Sequence, residues 1–89
     1  MANTPSFLGR ELARRRQLSG LALRPFAAKC GVPHSTVQDL ESGAQQDTTT
    51  ETVRKIAEGC GVSATAFLEA VEKLRTEEER KRKVPKRSA

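Results

Sequence analysis

Eighty-nine residues, a net charge of +5 and three aromatic residues (Phe7, Phe26, Phe67) describe one small domain, whose core must come mainly from Leu, Val, Ile and Ala. No apolar run approaches the roughly 20 residues of a membrane span, and no charged stretch followed by an apolar one opens the chain, so a cytoplasmic protein is expected. Two Cys and one His lack metal-ligand spacing, and there is neither an acid pair in a plausible pocket nor a Gly-rich phosphate loop, so no enzyme, metal or cofactor is expected.

Residues 1–5 read as a flexible terminus. Thr4 or Ser6 can cap a first helix, with Leu8, Leu12 and Leu18 marking its inner face and Gly20 as its stop. Arg10, Arg14, Arg15 and Arg16 crowd that helix with only Glu11 among them. They read either as a solvated charged face or as a patch turned toward phosphates. A second helix starts near Ala22 or Leu23, admits Pro25 in its first turn, and carries Phe26, Ala27 and Cys30 inward. Gly31 suits its end, because glycine takes a positive φ without the steric cost other residues meet. Val32 returns to the core, and Pro33 fits at the start of the next helix, where no amide hydrogen is needed.

That third helix, about residues 33–42, has Val37 and Leu40 inward and His34, Ser35, Gln38 and Asp39 outward, with Gly43 as stop. The second and third helices therefore form a helix-turn-helix. A polar loop with Gln45, Gln46 and Asp47 leads to a fourth helix capped by Thr48 or Thr49, with Val53, Ile56, Ala57 and Cys60 at helical spacing. Cys60-Gly61-Val62 echoes Cys30-Gly31-Val32, one turn solution used twice. Both cysteines read as small buried hydrophobes, with a disulfide the minor alternative. Ser63 caps a fifth helix with Phe67, Leu68, Val71 and Leu74 on one side. Residues 76–89 follow as a charged tail that prolongs this helix by a turn or two and is otherwise expected to be mobile. The charge is uneven: residues 1–75 hold 10 Lys/Arg against 8 Asp/Glu, whereas 76–89 hold 6 against 3. The tail reads as a tether for non-specific DNA contact.

With these elements in register, the chain resembles the lambda-repressor-like helix-turn-helix family. The resemblance rests on Phe26, Ala27, Gly31, Val32, Val37, Leu40, Glu41 and Gly43, then Thr52-Val53, Ile56-Ala57 and Gly61-Val62-Ser63. It implies an all-α, compact five-helix domain over residues 6–75, and a regulator that binds double-stranded DNA with its third helix in the major groove. Base contacts would fall to His34, Ser35, Gln38 and Asp39. Gln pairs well with adenine, Ser is permissive, His can donate to guanine, and a carboxylate suits a cytosine amine. Phosphate contacts would fall to Arg10, Arg14, Arg16, the Leu23 and Arg24 amides at the start of the second helix, Gln45 and Gln46, with Lys29 adding charge nearby. Arg16 and Glu41 stand where the family commonly places a structural ion pair. Ala22 and Pro33 stand where family members often carry a capping hydroxyl, and the loop after Gly43 is less basic than usual. Paired half-sites imply a homodimer on a pseudo-palindromic operator, in which Val71 and Leu74 either meet the partner chain or cap the core. The competing expectation is a protein-interaction module that keeps the fold without reading bases.

Overall fold

The computed structural model describes residues 5–83, which fold into five helices without a strand among them. They are α1 (Phe7–Ser19), α2 (Leu23–Cys30), α3 (His34–Ser42), α4 (Thr50–Gly59) and α5 (Ala64–Lys83). The expected flexible start (1–5) and the end of the tail (84–89) fall wholly or largely outside the described residues.

Local chemistry sets the helix ends. The Ser6 hydroxyl accepts from the Gly9 amide at 3.1 Å, Thr49 accepts from Thr52 at 3.2 Å, and Ser63 accepts from Ala66 at 3.0 Å. Each satisfies one amide that has no partner within its helix. α2 and α3 begin after Ala22 and Pro33, neither of which makes a side-chain cap. The Pro33 carbonyl instead accepts the amides of Thr36 (3.1 Å) and Val37 (3.4 Å). At the turn, Gly31 has φ 76°, and the Gly31 and Val32 amides both donate to the Ala27 carbonyl, at 2.9 and 3.1 Å. The predicted echo is real: Gly61 has φ 82°, and the Val62 amide donates to the Ala57 carbonyl at 3.0 Å. One sequence triplet closes two helices in the same way.

α2 packs between α3 and α4, while α1 contacts α3 on one side and α5 on another. The shared core is Leu12, Phe26, Ala27, Cys30, Val37, Leu40, Val53, Ile56, Ala57 and Phe67. Full burial of each large member contributes about 1.5–3 kcal/mol, which is what holds helices of only eight to ten residues in place. Two glycines permit this packing. A side chain at Gly9 would overlap the Leu40 carbonyl oxygen, so α1 lies directly on the α3 backbone. A Cβ at Gly59 would stand 2.8 Å from the Cys30 Cα, so α4 lies equally close to α2.

One expectation changes. Leu18 is not on the inner face of α1; it is 73% exposed. Six residues beyond Leu12 is well off that face at about 3.6 residues per turn. The matching positions are Arg15 and Arg16, both half-buried. The charged segment after residue 75 continues α5 by about two turns, as far as Lys83, in line with the expected prolongation. Arg75 pairs with Glu72 and, at 3.5 Å, with Glu79, while Glu78 lies 3.7 Å from Arg10. Pairs at this spacing support a helix that has no apolar face of its own.

Candidate nucleic-acid interface

α3 presents His34, Ser35 and Gln38 to solvent, whereas Val37 and Leu40 are fully buried. This division follows from helical spacing, since 34 and 38 lie one turn apart and the apolar pair lies on the other side. Asp39 is half-buried at the edge of the outer face, and its carbonyl accepts the amides of Gly43 (3.1 Å) and Gln45 (3.0 Å).

A bidentate ion pair fixes the end of α3. Arg16 Nε donates to Glu41 Oε2 at 2.8 Å and Nη2 donates to Oε1 at 2.9 Å. Nη1 also reaches the Leu21 carbonyl at 3.3 Å. One guanidinium thus joins α1, the α1–α2 connection and the last turn of α3. Hydrogen bonding to Glu41 raises the Arg16 pKa further above its ordinary value. The fork geometry limits rotation of α3 against the scaffold.

The arginines of α1 do not share one face. Arg14 donates to both Glu11 oxygens, at 3.1 and 2.7 Å, and Arg15 Nε donates to Glu11 Oε2 at 2.7 Å. Arg15 also stands 5.7 Å from the Phe67 ring centroid, and Arg10 5.1 Å from that of Phe7. Glu11, the one acid in the arginine run, is 1% exposed. Burial alone would raise its pKa, but hydrogen bonds from Arg14 and Arg15 reverse this and hold the carboxyl below the usual glutamate value. Its role was legible only in part: it sits three and four residues before Arg14 and Arg15, the spacing of a helical ion pair. Arg14 also shares a groove with Ala70, Lys73, Leu74 and Glu77 of α5. Arg10, Arg14 and Arg15 therefore bind α1 to α5 and to Glu11, and Arg16 alone of the four faces α3.

At the start of α2, the Leu23 and Arg24 amides precede the first bond of the helix, which Phe26 donates to the Ala22 carbonyl at 3.1 Å. The Arg24 side chain is exposed. In the loop after α3, Gln45 Nε2 donates to the Asp47 carbonyl at 2.7 Å and Gln46 Nε2 to the Gly43 carbonyl at 2.8 Å. Both side chains brace the loop. Val71 packs against the core from α5, and Leu74 is half-buried in the groove beside Arg14. Among the described residues no His, Cys, Asp and Glu gather in a metal-binding group, and no helix is long and apolar enough to cross a membrane.

Residues 12–67 match the model of a helix-turn-helix family. The chain belongs to the lambda-repressor-like helix-turn-helix family. The matched segment begins and ends on core residues, Leu12 and Phe67, so it coincides with the packed unit around the turn. This is a DNA-binding fold of regulators. The part of α5 beyond Phe67 lies outside the match, as does the start of α1 with Gly9 and Glu11. No curated protein matches the chain.

Proposed function

We propose that this helix-turn-helix protein is a sequence-specific transcriptional regulator, of repressor or Cro type, that reads double-stranded DNA with α3 in the major groove. The observation that carries this reading is the pairing of an exposed polar face on α3 with the Arg16–Glu41 brace that holds it at one angle. Gln38 and His34, on one line along the helix, take base edges; Ser35 and Asp39 take the neighbouring line, where Asp39 suits a cytosine amine. Arg24 and the first amides of α2 meet the phosphates. Gln45 and Gln46 present the loop backbone to the same strand. Arg10, Arg14 and Arg16, expected among the phosphate contacts, are not carried into this reading, because Glu78, Glu11 and Glu41 already hold them.

Selection of bound fragments from a random duplex pool tests the reading. A recurring half-site repeated about one helical turn away supports a dimeric base reader. In binding assays Gln38→Ala shifts preference at one base pair by about 1–3 kcal/mol. Equal losses on selected and random duplexes would sink the assignment. The homodimer is proposed to use Val71 and Leu74 of α5, beyond the family match; Leu74→Ser should lower the sedimenting mass of the full chain, and an unchanged mass removes it from the interface.

A partner-binding module without base readout is the second reading. The observation in its favour is that the loop after α3 carries Asp47 and turns both glutamine side chains onto its own carbonyls. No retention of duplex DNA at low salt and micromolar protein would favour it.

A further inference from the structure

Cys30 and Cys60 end α2 and α4, which lie in close contact at Gly59. Cys30 is the last residue of α2, Cys60 caps α4, and the Gly59 backbone lies directly against Cys30. The Cys30 sulfur is 3.8 Å from the Ile56 carbonyl oxygen, and that same oxygen accepts the Cys60 amide at 3.0 Å. The Cys30 thiol and the Cys60 amide thus meet at one oxygen, which brings the two residues together where α2 and α4 end. Both are free thiols, Cys30 buried and Cys60 half-exposed.

Cys60 lines an open groove of about 340 Å³ between α1, α2 and α4. Its walls are apolar at Leu18 and Phe26 and cationic at Arg15 and Lys29. No acidic residue lines it, and none of its residues comes from α3. The exposure of Leu18, which the core does not explain, belongs to this groove.

We propose that Cys60 is the entry thiol for a small anionic disulfide of the glutathione class, and that Cys30 resolves the mixed disulfide into a Cys30–Cys60 bond. In the first step the Cys60 thiolate, its proton lost to solvent, attacks one sulfur of the disulfide and expels one thiolate. In the second step the Cys30 thiolate attacks the Cys60 sulfur and expels the other. Protein thiols lose two electrons and the small disulfide gains them, leaving two small thiols. Lys29 attracts the carboxylates of the incoming molecule, since Arg15 is already paired with Glu11, and a groove of this volume admits a small ligand. Burial pushes the Cys60 thiol up, with Glu11 adding to this against the pull of Arg15 and Lys29, and burial pushes Cys30 up to about 11. Few thiolates exist at neutral pH, so the pair responds to sustained oxidation rather than a brief pulse. The bond would enclose residues 31–59, which hold the turn, α3 and α4, and would constrain the unfolded chain over the whole reading unit.

The test incubates the full chain with glutathione disulfide under native conditions, then blocks free thiols in denaturant and weighs the products. The expected product is a monomer with an internal Cys30–Cys60 bond and no free thiol, more resistant to urea and restored by reductant. Cys60→Ser should stay unmodified, and Cys30→Ser should accumulate a glutathione adduct. The wild-type product decides the pairing even if that buried substitution prevents folding. Glutathione disulfide should react several-fold faster than neutral hydroxyethyl disulfide, and Lys29→Glu should narrow the gap. A persistent Cys60 adduct in the wild type, or dimers linked between chains, would overturn the pairing. Equal rates with charged and neutral disulfides would overturn the groove as the route of entry.

Discussion

At the scale of single residues, two carboxylates decide how the first helix is used. Glu41 and Arg16 are 15% and 23% exposed and meet through two short bonds, so removal of either leaves the other poorly solvated. Arg16→Ala should destabilise the fold by about 1.5–3 kcal/mol in urea titrations, the range for hydrogen bonds to charged groups. Arg16→Lys should recover only part of that, because an ammonium cannot fork onto both oxygens. Glu11 makes a pH prediction. Its carboxyl is held below the ordinary glutamate value in the folded chain, so its contribution is present above that value and lost as pH falls through the folded one. Urea midpoints should therefore fall on the acid side of that range, and Glu11→Gln should flatten the fall. At neutral pH the same substitution should cost about 1–2 kcal/mol, modest because the Arg14 partner is largely in water.

At the scale of elements, close approach outweighs helix propensity. Alanine favours a helix over glycine by about 1 kcal/mol, so propensity alone makes Gly9→Ala stabilising. The Leu40 carbonyl stands where the new methyl would go, and backbone cannot rotate away as a side chain can. Gly9→Ala should instead lower the melting temperature, with a net cost of about 1–3 kcal/mol. Gly59→Ala should lower it too, through Cys30, although the sulfur side of that contact can yield. Gly9 reads in the sequence only as a weak point of α1, since nothing local announces a helix crossing there. The extension of α5 shows the reverse. Its ion pairs at helical spacing are visible in the sequence, yet Glu78 reaching Arg10 depends on how α5 lies along α1.

At the scale of the whole molecule, the charge predicts how binding responds to salt. Removing one cation from a phosphate should reduce the slope of log affinity against log salt by about 0.9. Arg24→Ala should show that reduction on every duplex sequence when binding is followed by fluorescence anisotropy. Arg14→Ala should leave the slope unchanged, because its guanidinium is held by Glu11. The sequence alone determined the five helices, the glycine turns at Gly31 and Gly61, and the inward set of Phe26, Val37, Leu40, Ile56 and Phe67. Those follow from periodicity, caps and backbone freedom, which are local. It also indicated the Arg16–Glu41 pair, through a resemblance rather than through spacing. Only the tertiary structure decided that Leu18 faces water, that Glu11 is buried beneath Arg14 and Arg15, and that Cys30 and Cys60 flank one carbonyl. Such outcomes depend on which helices cross and how closely, and that is set by packing between segments far apart in the chain rather than by any neighbouring side chain.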